Sequence, residues 1–406
     1  MEIIEPTDEL SLEQALSLAL LKNPSLVAQS WEVRAAEARV LQARLFPNPE
    51  LELEVDEYNR GGNGFATAET AVALGQLIEL GGKRQWRMRV AKSEGELAGW
   101  DYESKRLDLL SETVKQFIAV LTAQRRLDLA DSMVDLAEKT SRTVNERVEA
   151  GKEPPHQTTK VNAEMEITRI EQFEAQIGLD TARKRLGALW GNENPTFHMV
   201  KGNLDTVPDS VPAIDVLWSC LSKNPDLARW DAELRQRRAT LSSAKAERIP
   251  DIKATIGFKN FEEDATNAMV FGVGVLLPLF DRNQGNIASA NYELSKAEIE
   301  YKAAKTAAAI ALEVAYAEFI TAHRRVLTLR TKVVPAMESA FLSAQKGYEQ
   351  GKFGFLDILD AQRRFFESKS ALVTSLFAYH TAVAEIERVT GTSINDVTML
   401  NKEEQK

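Results

Sequence analysis

The sequence repeats itself after about 200 residues, and this duplication constrains the fold more than any other feature. Self-similarity at a fixed period indicates that one structural unit is present twice. Four motifs recur in the same order at spacings of 200 or 201 residues: Lys22-Asn23-Pro24 with Lys223-Asn224-Pro225, Pro49-Glu50-Leu51 with Pro250-Asp251-Ile252, Glu149-Ala150-Gly151-Lys152 with Glu349-Gln350-Gly351-Lys352, and Leu189-Trp190-Gly191 with Val389-Thr390-Gly391. We therefore divide the chain into a first repeat at 1–192, a linker at 193–212, a second repeat at 213–392 and a polar tail at 393–406.

Each repeat is predicted to contain two short helices, two strands and one long helical hairpin. The short helices of each repeat are separated by Asn-Pro, because the residue before a proline avoids the helical conformation. Helices are expected at about 11–22, 25–45, 213–222 and 226–247. Strands are expected at about 50–59, 67–79, 251–262 and 268–279, and the hairpin tips are expected near 151 and 351.

The hairpin helices are predicted to be unusually long. Between about 85 and 150, and between about 286 and 350, nothing strongly stops a helix except Pro335, where a kink is expected. At 1.5 Å per residue, each helix would span roughly 90–100 Å. Hydrophobic residues spaced alternately by three and four positions indicate coiled-coil packing, as at Leu107, Leu110, Val114, Phe117 and Leu121. The predicted fold class is mainly α, with long coiled-coil hairpins and a small β portion.

The strands alternate in polarity. Glu52, Glu54 and Asp56 are interleaved with apolar residues, so the two sets lie on opposite faces. Strands of about 9–11 residues suit a tilted crossing of a bilayer, but four strands cannot close a barrel, and lipid does not tolerate open sheet edges. A membrane-spanning sheet would therefore need two chains for eight strands or three for twelve. Soluble proteins that use coiled coils as spacers show similar patterns, which leaves a soluble scaffold as the alternative.

Composition excludes several other classes of function. A net charge of −10 without a basic stripe disfavours nucleic-acid binding. A single cysteine, Cys220, rules out an internal disulfide and a thiolate metal cluster. The four histidines are scattered, so we predict no metal site. Phosphate-loop, G-x-S-x-G and H-E-x-x-H motifs are missing, so we predict that the protein is not an enzyme and has no cofactor. Residues 1–10 lack a basic and apolar leader, which suggests a cytosolic protein or a leader removed beforehand.

The second hairpin tip, residues 347–362, carries an acidic pair. Gly351 and Gly354 break the helix, and Asp357 and Asp360 follow three residues apart on one helical face. The aligned positions of the first hairpin hold Gln157 and Lys160, so only the second hairpin carries these carboxylates. Without further context, they are two solvated aspartates favoured by the helix dipole.

These motifs together resemble the TolC-like outer-membrane efflux family of Gram-negative bacteria, over residues 11–392. The likeness is greatest to the CzcC-like branch, which serves heavy-metal resistance–nodulation–division pumps. It rests on Pro47-Asn48-Pro49 before the first strand, the stretch 78–84 (IELGGKR) after the second, the stretch 278–286 (PLFDRNQGN) after the fourth, and the tip stretch 347–362.

The resemblance implies a homotrimer that forms the passive exit duct of a tripartite cation efflux system. Three chains would share a twelve-stranded barrel in outer-membrane lipid and an α-helical tunnel across the periplasm, joined by a periplasmic adaptor to an inner-membrane pump. The same duct could serve drug or protein export. Family members often carry an acylated N-terminal cysteine, which this sequence does not show.

The resemblance also assigns roles to residues. Asp357 and Asp360 correspond to the periplasmic gate. The adaptor would dock at Gly151, Lys152, Gly351 and Lys352, although ordinary helix C-caps would explain these glycines equally well. Glu52, Glu54 and Asp56 would line the barrel lumen, and a solvated edge strand is the alternative for them.

Overall fold

A computed structural model describes residues 5–56, 58 and 68–394. The chain forms two compact units, and each unit draws on both repeats. We call Met1–Ala28, Glu103–Leu227 and Thr306–Lys406 the hairpin unit, and Gln29–Tyr102 and Ala228–Lys305 the sheet unit. A sequence repeat therefore does not correspond to one compact unit. Each compact unit is assembled from equivalent parts of both repeats.

The limits of the short helices lie within two residues of those that the sequence predicts. Helix α1 spans Leu12–Lys22 and α2 spans Pro24–Ala43. In the second repeat, α5 spans Ile214–Cys220, a 3-10 turn follows at Leu221–Lys223, and α6 spans Pro225–Ala246. A proline at the first helical position suits α2 and α6, because the N–H that it lacks would have no partner within the helix.

The asparagine of each Asn-Pro motif also bonds to the end of the last helix of the same repeat. The side-chain nitrogen of Asn23 donates to the carbonyl of Leu189 at 2.7 Å, and that of Asn224 donates to the carbonyl of Val389 at 2.7 Å. The side-chain oxygen of each asparagine accepts a backbone N–H at the start of the next helix. One residue thus caps a helix N-terminus and satisfies a carbonyl at a helix C-terminus, which explains why both motifs recur together.

The hairpin helices are as long as expected. Helix α3 spans Lys83–Glu149, which is 67 residues, and α4 spans His156–Ala188. The second hairpin contains α7 at Gln284–Thr328, α8 at Val334–Glu349 and α9 at Phe355–Thr390. Among the described residues, no helix is both long enough and apolar enough to cross a membrane.

A π-helical turn at Leu329–Val333 separates α7 from α8. It lies directly before Pro335, where the sequence predicts a kink. Proline lacks the N–H that would continue the helical hydrogen-bond pattern and its ring crowds the preceding turn, so the chain widens locally here.

The core of the hairpin unit lies between α7 and α9. Phe319 and Tyr379 stack with ring centroids 5.5 Å apart, and Leu312, Val326 and Ile386 are fully buried around them. His323 lies in the same seam, and its Nε2 is 2.7 Å from the carbonyl of Pro208. Cys220 is buried in this cluster as a small apolar residue.

Residues 193–212 are not the plain linker that their composition predicts. Strand β4 at Met199–Lys201 pairs in parallel with β1 at Glu9–Ser11. Phe197 and Val200 are buried in a hydrophobic cluster with residues of α1, α3 and α4. The polar composition of this segment conceals these apolar anchors, which fix it to the hairpin unit.

The four longer strands form one antiparallel sheet in the order β2-β3-β5-β6. Strand β2 spans Glu50–Asp56, β3 spans Glu69–Ile78, β5 spans Ile252–Phe261 and β6 spans Thr266–Val275. The central pairing joins β3 of the first repeat to β5 of the second, with Val72 opposite Phe258. The duplication therefore produces one sheet from two hairpins.

Strand limits differ from the sequence expectation at several ends. The fourth strand was expected to reach 279, but it ends at Val275, four residues before that limit. Pro278 has no N–H to offer a neighbouring strand, so the chain leaves the sheet before it. The expected end of the first strand at 59 and the expected start of the second at 67 lie outside the described residues.

Candidate functional site

The sheet has one apolar face and one polar face. The register places alternate residues of neighbouring strands on the same side, so Leu53 shares a face with Val72, Phe258 and Met269. This apolar face is exposed in the single chain, with 71% of Leu53 and 72% of Phe271 accessible. Its exposed apolar members are Leu51, Leu53, Val55, Val72, Leu74, Ile78, Ile256, Phe258, Met269, Phe271, Val273 and Val275. The polar residues Thr70, Gln76, Asn260 and Asn267 lie on the same face.

Glu52, Glu54 and Asp56 lie together on the opposite face. Two lysines of β5 share it and were missed by the sequence analysis. Lys253 Nζ is 2.9 Å from a Glu50 carboxylate oxygen and 2.8 Å from one of Glu52. Lys259 Nζ is 3.4 Å from a carboxylate oxygen of Asp56. The lysines therefore neutralise part of the charge of the acidic face. Several other positions of this face, on β3 and β6, hold the small residues glycine or alanine.

Both hairpin tips end their first helix in the same way. Gly151 and Gly351 have positive φ angles of 68° and 70°. The N–H of Lys152 donates to the carbonyl of Arg147 at 2.8 Å, and the N–H of Lys352 donates to that of Gly347 at 2.8 Å. This Schellman arrangement satisfies the last helical carbonyls and requires the left-handed conformation that glycine adopts freely. The lysines that follow are exposed.

The two tips differ in what surrounds these turns. A Cβ at Gly347 would overlap the Phe353 ring, so the second tip folds its own aromatic side chain against its helix. Arg147 is the equivalent residue of the first tip, and its guanidinium donates to the carbonyl of Tyr348 at 3.1 Å and lies 4.6 Å from the Tyr348 ring centre. The Arg147 side chain therefore links the first tip to the second. This contact was not predicted, because sequence spacing alone does not place the two hairpins beside each other.

Asp357 and Asp360 both lie exposed in the first turns of α9. Each has its own partner in the single chain. A carboxylate oxygen of Asp357 accepts the backbone N–H of Gly354 at 2.9 Å, and one of Asp360 accepts from Arg364 Nε at 2.9 Å. The hydrogen bond with Asp360 raises the pKa of the Arg364 guanidinium above its ordinary value. The i, i+4 spacing of Asp360 and Arg364 was the available signal for this pair.

The histidines do not assemble a metal site. His380 is largely buried, with Nε2 2.8 Å from the carbonyl of Leu204, and burial lowers the pKa of its imidazole. His323 is bound to a backbone carbonyl in the core, as described above. Within the described part of the chain, no three His, Cys, Asp or Glu side chains are grouped closely enough to hold a metal ion.

Comparison with known proteins agrees with this geometry. The sequence profile of the family described as "Outer membrane efflux protein" matches residues 15–192 and 216–392, which are the two repeats. The chain is 36% identical to the cobalt-zinc-cadmium resistance protein CzcC of Cupriavidus metallidurans, over 95% of this chain and 91% of that protein. It is 24% identical to the nickel and cobalt resistance protein CnrC of the same organism, over 77% and 73% of the two chains.

A solved structure shows the same fold. A crystal structure of CusC, described in terms of folding and transmembrane channel formation, superposes with a TM-score of 0.80. The two sequences are 18% identical, and the match covers 94% of this chain and 92% of that one. The two proteins thus share this fold, and the family profile over both repeats together with the 36% identity to CzcC shows that the chain belongs to the outer membrane efflux protein family.

Proposed function

We propose that this protein is the passive exit duct of a heavy-metal cation efflux system, built from three copies of the chain. Family membership makes it an outer-membrane efflux channel and not an enzyme. The observation that carries the choice of cargo is the 36% identity over 95% of the chain to a cobalt-zinc-cadmium resistance protein. The nickel and cobalt resistance protein is a second relative whose name points to divalent cations.

The open edges of the sheet support a shared barrel. Strands β2 and β6 form the two edges, and within the described residues each has a neighbouring strand on one side only. A sheet that faces lipid cannot leave its edge N–H and C=O groups unpaired, because each would cost several kcal/mol. Pairing β2 of one copy with β6 of the next removes both edges, and three copies give twelve strands with room for a channel.

The charge of the polar sheet face supports passage of cations. Glu50, Glu52, Glu54, Asp56 and Glu69 share this face with Lys253 and Lys259. The acidic groups outnumber the basic ones, so the face stays negative even where the ion pairs form. In our proposal, the apolar face contacts lipid and this face lines the lumen, where negative groups attract cations.

We further propose that the tips of the hairpins control entry and docking. Asp357 and Asp360 of three copies would converge at the entrance, where like charges repel and a divalent cation could bridge them. Lys152 and Lys352, presented by the left-handed turns at Gly151 and Gly351, would contact a periplasmic adaptor that joins the duct to an inner-membrane pump. Their exposed ammonium groups suit an acidic partner surface.

Detergent-purified protein tests this proposal against a soluble coiled-coil scaffold. We expect native mass spectrometry to find three chains per particle, and planar lipid bilayers to show discrete, cation-selective conductance steps. A stable monomer that needs no detergent and gives no conductance would support the scaffold and reject the duct.

A further inference from the structure

One end of the four-stranded sheet carries exposed apolar residues and arginines. Strands β2 and β5 begin at this end and β3 and β6 finish there, since Ile78 pairs with Ile252 and Ile252 with Val275. The chain segment before β2 and the segment after β6 therefore lie at the same level, on opposite sides of the sheet. The sheet is connected to the helices of its unit at this end.

The apolar residues at this end of the sheet are strongly exposed. They are Phe46 at 70%, Leu276 at 81%, Leu277 at 71%, Leu279 at 64% and Phe280 at 91%. Ile78 and Val275 continue the same character onto the apolar face of the sheet, each at 46% exposure. Exposed apolar side chains grouped at one end of a sheet in this way mark a contact with lipid or protein. We call these five exposed residues, together with Arg84, Arg248 and Arg282, the collar.

The arginines of the collar have no carboxylate partner among the described ion pairs. The acidic groups nearby already have partners: Asp251 and Glu247 pair with Lys83, Glu79 pairs with Arg87, and the Asp281 carboxylate accepts the backbone N–H of Asn283. The Arg84 guanidinium lies 3.7 Å from the centre of the Phe46 ring, so cation and aromatic ring form one surface. Arg248 and Arg282 are exposed. This local excess of cations stands against a chain of net charge −10.

We propose that the collar binds phospholipids at the headgroup layer on the helix side of the bilayer, with a preference for anionic headgroups. The inference rests on the proposed bilayer-spanning role of the sheet. The aliphatic and aromatic side chains enter the boundary of the acyl chains, and the guanidinium groups bind headgroup phosphates. Arginine suits this role because its planar fork donates two parallel hydrogen bonds to a phosphate. Aromatic residues favour the same interfacial depth.

Charge complementarity and continuity select lipid as the occupant. Leu276 directly follows Val275 of the apolar sheet face, and Ile78 of the same face lies six residues before Arg84, so the surface that covers that face also reaches the collar. Lipid phosphates would neutralise the arginines directly, whereas a second copy of this chain would have to supply carboxylates of its own. The two occupants make different predictions for assembly.

The test is native mass spectrometry of the full-length protein in mixed micelles that contain equal phosphatidylglycerol and phosphatidylcholine. The variant Arg84→Gln/Arg248→Gln/Arg282→Gln removes the charge, and Arg84→Lys/Arg248→Lys/Arg282→Lys keeps it. The control Arg142→Gln/Arg185→Gln/Arg324→Gln removes three charges from exposed arginines of the hairpin helices. We expect the Gln variant to retain about tenfold less phosphatidylglycerol, the equivalent of roughly 1.4 kcal/mol, while the Lys variant and the control retain most of it.

Two results would overturn the proposal. Equal phosphatidylglycerol retention by the Gln variant and the unaltered protein would show that the arginines do not bind lipid. Loss of the three-chain particle in the Gln variant would show that the collar is covered by another copy. Failure of the duct itself is distinguishable, because the unaltered protein would then give no conductance in a bilayer.

Discussion

At the residue scale, Asp357 has two roles that a single substitution can separate. Its carboxylate accepts the N–H of Gly354 at the start of α9, and it also supplies negative charge at the tip. Asparagine keeps a carbonyl acceptor at the same position and removes the charge. An Asp→Asn change therefore tests electrostatics while leaving the helix start intact.

The double change Asp357→Asn/Asp360→Asn is expected to weaken cation selectivity and block by divalent cations. Six carboxylates of a trimer would be lost from one axis, and with them the attraction for a bridging ion. We expect the divalent concentration for half-block in planar bilayers to rise by about tenfold, which corresponds to roughly 1.4 kcal/mol.

Asp128→Asn/Asp131→Asn is the matched control for this change. These two aspartates are also exposed and three residues apart, and they lie on α3 away from the tip turns. Their replacement should leave selectivity and block unchanged. If both double variants behave like the unaltered protein, Asp357 and Asp360 do not form a gate.

At the element scale, the tips owe their shape to backbone conformation. Gly151→Ala and Gly351→Ala would meet no atom within 4 Å, so no clash is introduced. The left-handed φ angle still costs an L-residue about 1–2 kcal/mol. Each change should lower the apparent melting temperature of the helices by a few degrees, measured by circular dichroism.

Gly99→Ala is the control of opposite sign. Gly99 lies inside α3, also with no atom within 4 Å of an added Cβ, and it is not among the glycines with positive φ. Alanine favours a helix interior over glycine by about 0.5–1 kcal/mol. The same chemical substitution should therefore raise the melting temperature here. Equal effects at all three glycines would contradict the role of the left-handed turns.

The two faces of the sheet provide a second test at this scale. Phe271 lies on the apolar face and Val270 on the polar face of the same strand. Phe271→Arg should cost about 2–4 kcal/mol if it meets the middle of a bilayer. We expect fractionation to find less of this variant in the outer membrane.

Val270→Arg uses the adjacent position on the face assigned to the lumen. Its charge would lie in water, so membrane levels should remain close to those of the unaltered protein. A reversed result, with Val270→Arg excluded and Phe271→Arg accepted, would assign the faces the other way round.

Local sequence patterns predicted the helices, strands and turns, but they did not predict which distant residues are in contact. Proline, glycine and alternation predicted the short helices, the hairpin tips and the separation of Glu52 from Leu53. The neutralising contact of Lys253 with Glu52 joins residues 201 positions apart, and it depends on a register that alternation within one strand cannot supply. The contact of Arg147 with Tyr348 was missed for the same reason. In the segment 193–212, the polar composition concealed the buried apolar residues Phe197, Val200 and Leu204.

At the scale of the whole molecule, a single chain leaves much unfinished. Among the described residues, the apolar sheet face is open, β2 and β6 each pair with one neighbouring strand, and Asp357 and Asp360 bond to residues of their own hairpin. Assembly of three copies in a membrane would complete these features together. In our proposal, the chain is one third of a duct, and the pump and adaptor that it would join select the cargo.

Growth of a strain that lacks this gene, compared over Zn, Cd, Co, Ni, Cu and Ag, tests the central claim most directly. The account predicts lower tolerance to at least one divalent ion of the cobalt, zinc and cadmium group. Tolerance should return with the unaltered gene and not with Phe271→Arg, while drug tolerance stays unchanged. Unaltered tolerance to every one of these ions, together with lost tolerance to drugs, would contradict a heavy-metal duct and favour drug export.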